Sequence, residues 1–251
     1  MVHTRSNREI EKISKSCQIV ADTLIMLEDY VVDGACVSDL DKMAEEYIIS
    51  KGARPAFKGY MGFPSTLCVS IEDAVVHGIP GKNILKQGQI VGIDCGAELE
   101  GYYGDHARSF AVGEITLEKK KLLNVTKESL LKGIDQAIPG NYVGDIGKAV
   151  QDHAESNGFS VVRELVGHGI GTSLHEEPQI PNYGEAHQGY KLRSGMCIAI
   201  EPMINSGSRE VFTASDGWTI LTKDGQPSAH FEHTIAITEN GPKILSVGSN
   251  G

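Results

Sequence analysis

Two aspartates lie in a stretch that otherwise has the pattern of a buried β-hairpin, QIVGIDCGAELEGYYGDHARSFAV, residues 89–112. Apolar residues on both sides of a central turn predict two paired strands. With Leu99 and Glu100 as the two turn residues, Asp94 faces Asp105 directly. Opposed residues have Cβ atoms about 4.5–5.5 Å apart, where like charges repel. Two carboxylates this close among apolar side chains must share a proton or a cation.

Further carboxylates and histidines follow apolar stretches elsewhere in the chain. Glu201 lies near the end of MCIAIEPMI, residues 196–204, which has the pattern of a buried strand. Glu232 lies in the alternating stretch AHFEHTIAIT, residues 229–238, on a face whose small residues leave room for a ligand. His168 belongs to the glycine-rich turn GHGIG. Two aspartates in a loosely formed loop would explain the first pair alone, but four carboxylates on apolar strands indicate a site.

The five side chains together form a donor set for hard cations: Asp94, Asp105, His168, Glu201 and Glu232. Carboxylate oxygens with one imidazole are a ligand mix suited to Mn, Fe(II), Co or Zn, and they do not form a thiolate site. Four carboxylates exceed the charge of one divalent ion and would neutralise two, as in two-metal sites. The turn around His168 contains neither GxGxxG nor a following Lys-Ser/Thr, and HEEP lacks the second histidine of HExxH, so neither a phosphate loop nor a zinc helix is predicted.

Amphipathic helices must position these strands. Ser6 begins a capping box, S-x-x-E, and the apolar spacing after it predicts a helix to about Asp33. Ser38 is predicted to cap a second helix that ends at Gly52. Another helix pair is expected to begin near Thr116, and its first member stops at Pro139-Gly140.

The chain also repeats itself. Residues 34–52 align without gaps on residues 140–158, with identities that include Gly34/Gly140, Val37/Val143 and Asp39/Asp145. A repeat spaced at nearly half the chain predicts two fused halves, about 6–111 and 112–251, within a single catalytic domain of residues 1–251. Such halves leave a site at their seam. Chance similarity between two amphipathic helices is the alternative.

Composition limits the function classes. The chain has 251 residues, 40% hydrophobic and 22% charged, as in globular proteins. A formal net charge of -10 argues against nucleic acid as the main ligand. The start, MVHTRSNREIEK, has no apolar signal region, and no stretch reaches the roughly 18 apolar residues of a membrane span. Five scattered cysteines without CxxC predict reduced thiols, so we expect a cytoplasmic protein.

Several blocks together resemble a known family. VVHGIP, IDCG followed by GYYGDHAR, GHGIG followed by HEEP, AIEPM and FEHT are similar to the signature blocks of a type I methionine aminopeptidase, the metallopeptidase of the pita-bread fold. The blocks occur in the expected order, and the similarity extends from about residue 8 to 247. The resemblance implies an α+β pita-bread fold: two pseudo-twofold-related α/β halves, with antiparallel sheets around a central dimetal site.

The resemblance also implies a role for each site residue. Asp94 would bind one metal ion, Asp105 and Glu232 would bridge both, and His168 and Glu201 would bind the other. Glu201 would also carry protons in catalysis, and His77 and His175 would contact the substrate, His175 at the oxyanion. The methionine pocket would consist of Tyr60, Phe63, Cys68 and Trp218, although packing alone would also explain Cys68 and Trp218.

Two residues depart from the family pattern. Met61 lies where a histidine often occurs, and Leu174 precedes His175 where an aromatic residue is common. Both belong to the pocket lining and not to the metal ligands, so they bear on side-chain selectivity.

The activity implied is removal of the N-terminal methionine from nascent polypeptides with a small second residue. Two divalent metal ions, Co, Mn, Fe or Zn, would serve as cofactors, and the protein would act as a monomer, with no membrane or direct nucleic-acid partner. The ribosome is a further candidate partner. One alternative is an Xaa-Pro aminopeptidase or prolidase, which the stretch YMGFPSTLC and the lack of a separate N-terminal domain disfavour. The other is a non-catalytic peptide-binding or ribosome-associated relative, which would be expected to have lost at least one of the five ligands.

Overall fold

The computed structural model describes residues 2–249. Within this range the α-helices are α1 (Asn7–Glu28), α2 (Val37–Ser50), α3 (Leu117–Asp135) and α4 (Val143–Ser156), and a short 3-10 turn covers Tyr60–Gly62. The strands are β1 (Arg54–Pro55), β2 (Leu67–Ile71), β3 (Ala74–Val76), β4 (Ile90–Leu99), β5 (Tyr102–Ala111), β6 (Ser160–Val161), β7 (Gly167–Gly169), β8 (Glu176–Ile180), β9 (Cys197–Ile200), β10 (Met203–Asn205), β11 (Val211–Thr213), β12 (Ile220–Thr222), β13 (Ser228–His230), β14 (His233–Thr238) and β15 (Gly241–Ile244).

All strand pairs are antiparallel, and they form four sheets. In the first sheet β4 pairs with β5 along its whole length and with β1 and β2 on its other edge. The second large sheet has the order β15-β14-β9-β7-β8. Two three-stranded sheets, β13-β10-β6 and β11-β12-β3, connect the larger ones. No helix between residues 2 and 249 is long and apolar enough to cross a membrane.

The helix starts are stabilised in two different ways. The predicted capping box is present at α1, where the Ser6 backbone N–H donates to Glu9 at 2.9 Å. This helix ends at Glu28, earlier than the expected Asp33, because the chain turns there and buries Val31 in the core. Ser38 does not cap α2: the helix starts at Val37, and carbonyl groups of the 81–85 loop accept its first free N–H groups.

The two copies of the repeat have the same backbone pairing. Gly34 N–H donates to Leu85 O at 2.9 Å in the first copy, and Gly140 N–H donates to Leu192 O at 3.0 Å in the second. The first helical N–H groups of α4 likewise donate to carbonyl groups of the 188–190 loop. Helices α2 and α4 are both 14 residues long and occupy the same place in the repeat. The similarity therefore extends from the sequence to the hydrogen bonds that fix each helix start.

The hairpin register differs from the predicted one. Asp94 lies opposite Ala107, and Asp105 lies opposite Gly96, so the prediction that the two aspartates face each other directly is wrong. Glu100 and Gly101 form the turn, with φ of 52° and 83°. The turn type explains the shift, because a two-residue turn of this kind needs left-handed backbone at both positions and favours glycine at the second. The register moves by two residues, which keeps both aspartates on one face as diagonal neighbours.

The two continuous strands predicted for residues 196–204 and 229–238 are also wrong, because each is broken at its glutamate. The first divides into β9 and β10 at Glu201-Pro202, and the second into β13 and β14 at Phe231-Glu232. Strands β9 and β14 belong to the five-stranded sheet, whereas β10 and β13 belong to a three-stranded one. Pro202 lacks the N–H that a continuous strand would use. Both glutamates therefore lie where the chain passes from one sheet to another.

Glycine at position 104 permits close packing between α1 and β5. A Cβ there would lie 2.6 Å from the carbonyl carbon of Ser16 and 2.7 Å from Cα of Cys17, both in the α1 backbone. These atoms cannot move without displacing the helix, and the next residue in β5 is Asp105. The helix axis is thus held against the strand that carries a site residue.

We expect Gly104→Ala to lower the free energy of unfolding by about 1–3 kcal/mol, because overpacking moves backbone rather than a flexible side chain. Urea unfolding at equilibrium measures the change. Gly81→Ala is the matched control, since its nearest neighbour would be 3.9 Å away. Equal stability of the two variants would contradict the packing assigned to α1.

Candidate functional site

A cavity of about 580 Å³ lies where the sheets meet. Every site residue predicted from the sequence lines it: Tyr60, Phe63, Cys68, His77, Asp94, Asp105, His168, His175, Glu201, Trp218 and Glu232. These residues come from both halves of the chain and from several sheets. The fold therefore brings the whole predicted set together around one space.

The carboxylates and His168 form the centre of this cavity. Ligand atoms of Asp105, His168 and Glu232 all lie within 4.8 Å of one another, and all three residues are buried. His168 Nε2 is 3.6 Å from Glu201 Oε1 and 3.9 Å from Asp105 Oδ2. Among the described residues, Asp94 Oδ1 and Glu232 Oε1 are buried with no hydrogen-bond partner. Unpartnered buried acceptors are costly, so this centre is suited to a ligand that accepts electron pairs.

The imidazole of His168 is also oriented to offer an electron pair at this centre. Its Nδ1–H donates to Gly169 O at 2.9 Å, which leaves the lone pair of Nε2 directed at the carboxylates. Burial, with the nearby His175, lowers the pKa of His168 to about 3, so the ring is neutral near pH 7. A lone pair facing carboxylate oxygens is repulsive unless a cation lies between them. The donor set therefore fits hard divalent cations, as the sequence predicts.

Burial and mutual repulsion hold the carboxyl groups in their neutral forms when no cation compensates them. Burial raises the pKa of Asp94 to about 7 and that of Glu201 to about 8. Burial and then the neighbouring carboxylates raise the pKa of Asp105 and of Glu232 well above the ordinary range. Asp94 and Asp105 are close enough to share a proton. A directly opposed pair of aspartates is expected to share a proton or a cation. The same requirement applies to Asp94 and Asp105 as diagonal neighbours.

Groups behind the carboxylates hold them in place. The Thr234 hydroxyl donates to Asp105 O at 2.8 Å, and the Asn182 side-chain amide donates to Glu201 O at 3.1 Å. His106 Nδ1–H donates to Glu232 O, and its ring stacks on His233 at a centroid distance of 4.6 Å. None of these supporting residues belongs to the set predicted from the sequence. For the two histidines the sequence does contain a signal, since His106 directly follows Asp105 and His233 directly follows Glu232.

His230 is a further residue that the sequence analysis missed. It is 3% exposed, and its Nε2 lies 3.6 Å from Glu201 Oε2. Burial lowers the pKa of His230, and the Asp94 carboxylate opposes that shift. His230 lies only two residues before Glu232, and this closeness in the chain is the signal that the sequence contains.

A salt bridge holds the turn that carries His175. Arg5 Nη2 donates to Glu176 Oε1 at 2.6 Å, and their side chains are only 7% and 9% exposed. The same Glu176 oxygen accepts the backbone N–H groups of Thr172 and Ser173. His175 Nδ1 lies 2.9 Å from Tyr60 Oη, and its ring meets that of His168 edge to face at 4.3 Å. The N-terminal segment therefore fixes the approach of His175 to the carboxylate centre.

His77 reaches the same space from another element. It follows β3 with a left-handed φ of 57°, and its ring lines the cavity as the sequence predicts. Burial lowers the pKa of His77, with His230 adding to the shift, and burial and then His77 lower the pKa of His175. Both rings are therefore neutral near pH 7, and each has one N–H to donate.

The other end of the cavity is apolar. Phe63 and Trp218 meet edge to face at 5.1 Å, and Cys68 and Leu174 pack in the same cluster. Cys68 lies opposite Asp94 in the β2–β4 pairing, so strand register places this end beside the carboxylate centre. Burial raises the pKa of Cys68 well above the ordinary value, so the thiol stays neutral.

The two departures from the family pattern occupy different environments. Leu174 is buried at 2% exposure against the apolar cluster. Met61, with a left-handed φ of 49° in the 3-10 turn, lines the cavity but is 83% exposed. Leu174 therefore shapes the interior of the pocket and Met61 its entrance.

Known proteins are similar over nearly the whole chain. The model of metallopeptidase family M24 matches residues 11–239. A methionine aminopeptidase of Clostridium perfringens is 48% identical over 247 residues, which cover 98% of this chain and 99% of the relative. Methionine aminopeptidase 1 of Bacillus subtilis is 50% identical over 246 residues, covering 98% and 99% of the two chains.

A solved structure agrees at the level of the fold. The crystal structure of methionine aminopeptidase from Thermotoga maritima superimposes with a TM-score of 0.97 at 45% identity, covering 98% of this chain and 100% of that one. The α+β pita-bread fold expected from the resemblance is thereby confirmed, with antiparallel sheets around the central cavity.

The raised carboxyl pKa values predict that the metal-depleted protein loses stability as pH rises from about 7 to about 8.5. Above pH 7 imidazoles are neutral in both folded and unfolded chains, whereas ordinary carboxyls, with pKa near 4, are ionised in the unfolded chain. The folded chain still holds protons on Asp94, with pKa about 7, and on Glu201, with pKa about 8. Because the folded state binds more protons, unfolding becomes more favourable as pH rises.

Urea unfolding of chelator-treated protein at several pH values in this range measures the slope. Glu201→Gln removes one of the titrating groups and should flatten the slope, and added divalent cation should have the same effect in the parent. A parent whose stability stays constant or rises with pH in this range would contradict the buried-carboxyl assignment.

Proposed function

The chain belongs to metallopeptidase family M24 and, within it, to the methionine aminopeptidases, and we propose that it removes the N-terminal methionine from nascent polypeptides with a small second residue. The resemblance found in the sequence is confirmed at this level. One observation of the site carries the proposal: the β2–β4 register places the apolar pocket at Cys68 beside the carboxylate centre at Asp94. A methionine side chain in that pocket would present its own peptide bond to the centre.

Membership of a metallopeptidase family means that the chain uses divalent metal. We propose two ions, held by the five residues of the donor set, Asp94, Asp105, His168, Glu201 and Glu232; Co, Mn, Fe and Zn all suit these ligands. The unpartnered Asp94 and Glu232 oxygens support this assignment. Bound divalent cations lower the pKa of a water molecule and polarise the scissile carbonyl. The chain's own side chains must then position the peptide and move the protons.

Glu201 is the proposed proton carrier. It is buried at the centre, and its backbone carbonyl is fixed by Asn182, so its carboxylate approaches the reacting atoms from a set direction. It accepts the proton that the attacking water loses and passes it to the leaving amine as the peptide C–N bond breaks.

His175 and His77 are proposed to hold the substrate during this step. When the Tyr60 hydroxyl donates to Nδ1 of His175, the Nε2–H of His175 is free to donate to the developing oxyanion. The Arg5–Glu176 pair keeps this donor in place before substrate arrives. His77 lines the same cavity and would contact the peptide backbone on the leaving side.

The apolar end supports selectivity for methionine. Phe63, Cys68 and Trp218 offer apolar and polarisable surface, which suits an unbranched thioether. Tyr60 lines the same cavity, and its ring centroid is 5.2 Å from that of His175. Burial of Leu174 narrows the pocket beside Cys68, and a narrow pocket rejects bulky neighbours by steric conflict.

Other attributes expected from the sequence remain predictions. These are a cytoplasmic location, a monomeric state and docking at the ribosome. The internal division into halves at about residues 6–111 and 112–251 is also a proposal, supported by the matching backbone pairing of α2 and α4.

The central test compares peptides and metals. Chelated protein should not hydrolyse Met-Ala-Ser, and add-back of Co, Mn, Fe or Zn should restore release of free methionine. Met-Ala-Ser should be cleaved far faster than Met-Trp-Ser or Leu-Ala-Ser, because both the first pocket and the second position are narrow. Full activity in rigorously metal-free protein, or preference for Xaa-Pro peptides, would refute the proposal; peptide binding without cleavage would indicate a non-catalytic relative.

His175→Ala should lower kcat by about 10²–10³, with KM and bound metal nearly unchanged, because it removes a donor used mainly at the oxyanion. His168→Ala serves as the comparison. It should weaken the binding of metal and regain part of its activity at high metal concentration, whereas no metal should rescue His175→Ala. Loss of metal from His175→Ala, or a kcat within about twofold of the parent, would assign the histidine a different role.

A further inference from the structure

His230 is a buried polar group that the mechanism above does not use. Within residues 2–249 its Nε2 has no hydrogen-bond partner, and the residue is 3% exposed. Four other rings around the site have hydrogen-bond partners: His168 with Gly169, His175 with Tyr60, His106 with Glu232 and His233 with Ser246. Leaving one buried imidazole nitrogen without a hydrogen bond is energetically costly. We therefore expect Nε2 of His230 to gain a hydrogen-bond partner in another state of the protein.

The surroundings of His230 fix where that nitrogen points. His230 ends β13, and its backbone N–H and carbonyl both bond the Ser109 hydroxyl, at 3.0 and 2.9 Å. Its Cβ lies against Gly92 of β4. The ring does not line the cavity that would take the substrate. It therefore lies behind the carboxylates, with Nε2 3.6 Å from Glu201 Oε2.

Glu201 is thus placed between two imidazoles. Its Oε1 is 3.6 Å from Nε2 of His168, and its Oε2 is 3.6 Å from Nε2 of His230. His168 presents a lone pair, because its Nδ1–H is already donated to Gly169. His230 has no such bond, so its Nε2 can carry the proton and donate it. His168 therefore presents a lone pair to Oε1 of Glu201, whereas His230 can present an N–H to Oε2.

We infer that His230 is a positioning residue for Glu201, donating an Nε2–H···Oε2 hydrogen bond when the carboxylate holds a divalent cation. This inference rests on the proposed function only in taking Glu201 as a ligand and proton carrier. A charge-assisted N–H···O bond is about 2.7–2.9 Å long, so a modest rotation of the Glu201 side chain suffices. The bond engages Oε2 and leaves Oε1, on the His168 side, to the cation.

Such a bond has measurable consequences for metal binding. Partners that orient ligating carboxylates typically affect metal affinity or activity by about 10–100-fold when removed. His230 is not itself one of the residues that line the cavity, so its loss should change kcat with little effect on KM. A glutamine at this position keeps an N–H donor on a side chain of similar reach but offers no imidazole nitrogen. The Gln variant therefore separates hydrogen-bond donation from direct ligation.

The experiment uses His230→Leu and His230→Gln, with His153→Leu on α4 as a control histidine outside the site. Calorimetric titration of metal-depleted protein with Co(II) gives affinity and stoichiometry, and visible absorption of the loaded protein reports the ligand field. We expect the Leu variant to bind Co(II) about 10–100-fold more weakly with altered bands, and the Gln variant to stay within about threefold of the parent. In Met-Ala-Ser hydrolysis kcat should be lower in His230→Leu and close to the parent value in His230→Gln. KM should be unchanged in both variants.

A second measurement uses the unsubstituted protein and does not depend on how the Leu variant folds. Addition of Zn(II) to metal-depleted protein labelled at histidine nitrogen should produce a protected Nε2–H proton signal, absent from His230→Gln and present in His153→Leu. Absence of that signal, or unchanged affinity and absorption in a folded Leu variant, would overturn the inference. Equal loss of metal in Leu and Gln would overturn it too, since His230 would then be a ligand. These readouts need no peptide cleavage, so a parent inactive on Met-Ala-Ser would refute the proposed function and leave His230 to be judged by metal binding alone.

Discussion

Mutual repulsion among the carboxyl groups of Asp94, Asp105, Glu201 and Glu232 governs the centre of this protein. Asp105 and Glu232 are buried, and Asp94 and Glu201 are half-buried. Burial removes the water that would screen them, so their charges are tolerable only with protons or cations between them. The same repulsion makes the centre a strong cation site, because the energy stored in the folded chain is released when positive charge enters. The surrounding structure must therefore resist the tendency of these groups to move apart.

The fold resists by attaching the four groups to different elements. Asp94 and Asp105 belong to one tightly paired hairpin, whereas Glu201 and Glu232 lie where the chain leaves one sheet for another. Each connection has paired strands on both sides, so none of these backbones can retreat alone. Hydrogen bonds from Asn182 and Thr234 hold the backbone at Glu201 and Asp105. A site of like charges is thus built from segments that the rest of the core holds fixed.

The internal repeat supplies part of this arrangement twice. Asp94 and Glu201 stand at the same distance beyond two glycines, Gly88 and Gly195, that share a left-handed φ of 89°. The loops before these glycines bond the starts of α2 and α4 in the same pattern. Each copy of the repeat is therefore followed by a helix-anchoring loop and then by a strand that leads to one carboxylate.

The sequence by itself determined the residue types of the site, the family and the fold class. Glycine and proline positions and capping boxes are local signals, and the block motifs are recognised by their order along the chain, so none of them depends on tertiary contacts. The sequence predicted the starts of α1 and α3 for the same reason. Only the tertiary structure decided the hairpin register, the breaks at Glu201 and Glu232, and the approach of His230 to Glu201. Apolar runs on both sides of a sheet junction look continuous in sequence, since burial favours the same residues in either sheet. Contacts between distant segments depend on how sheets pack, and no local pattern encodes that packing.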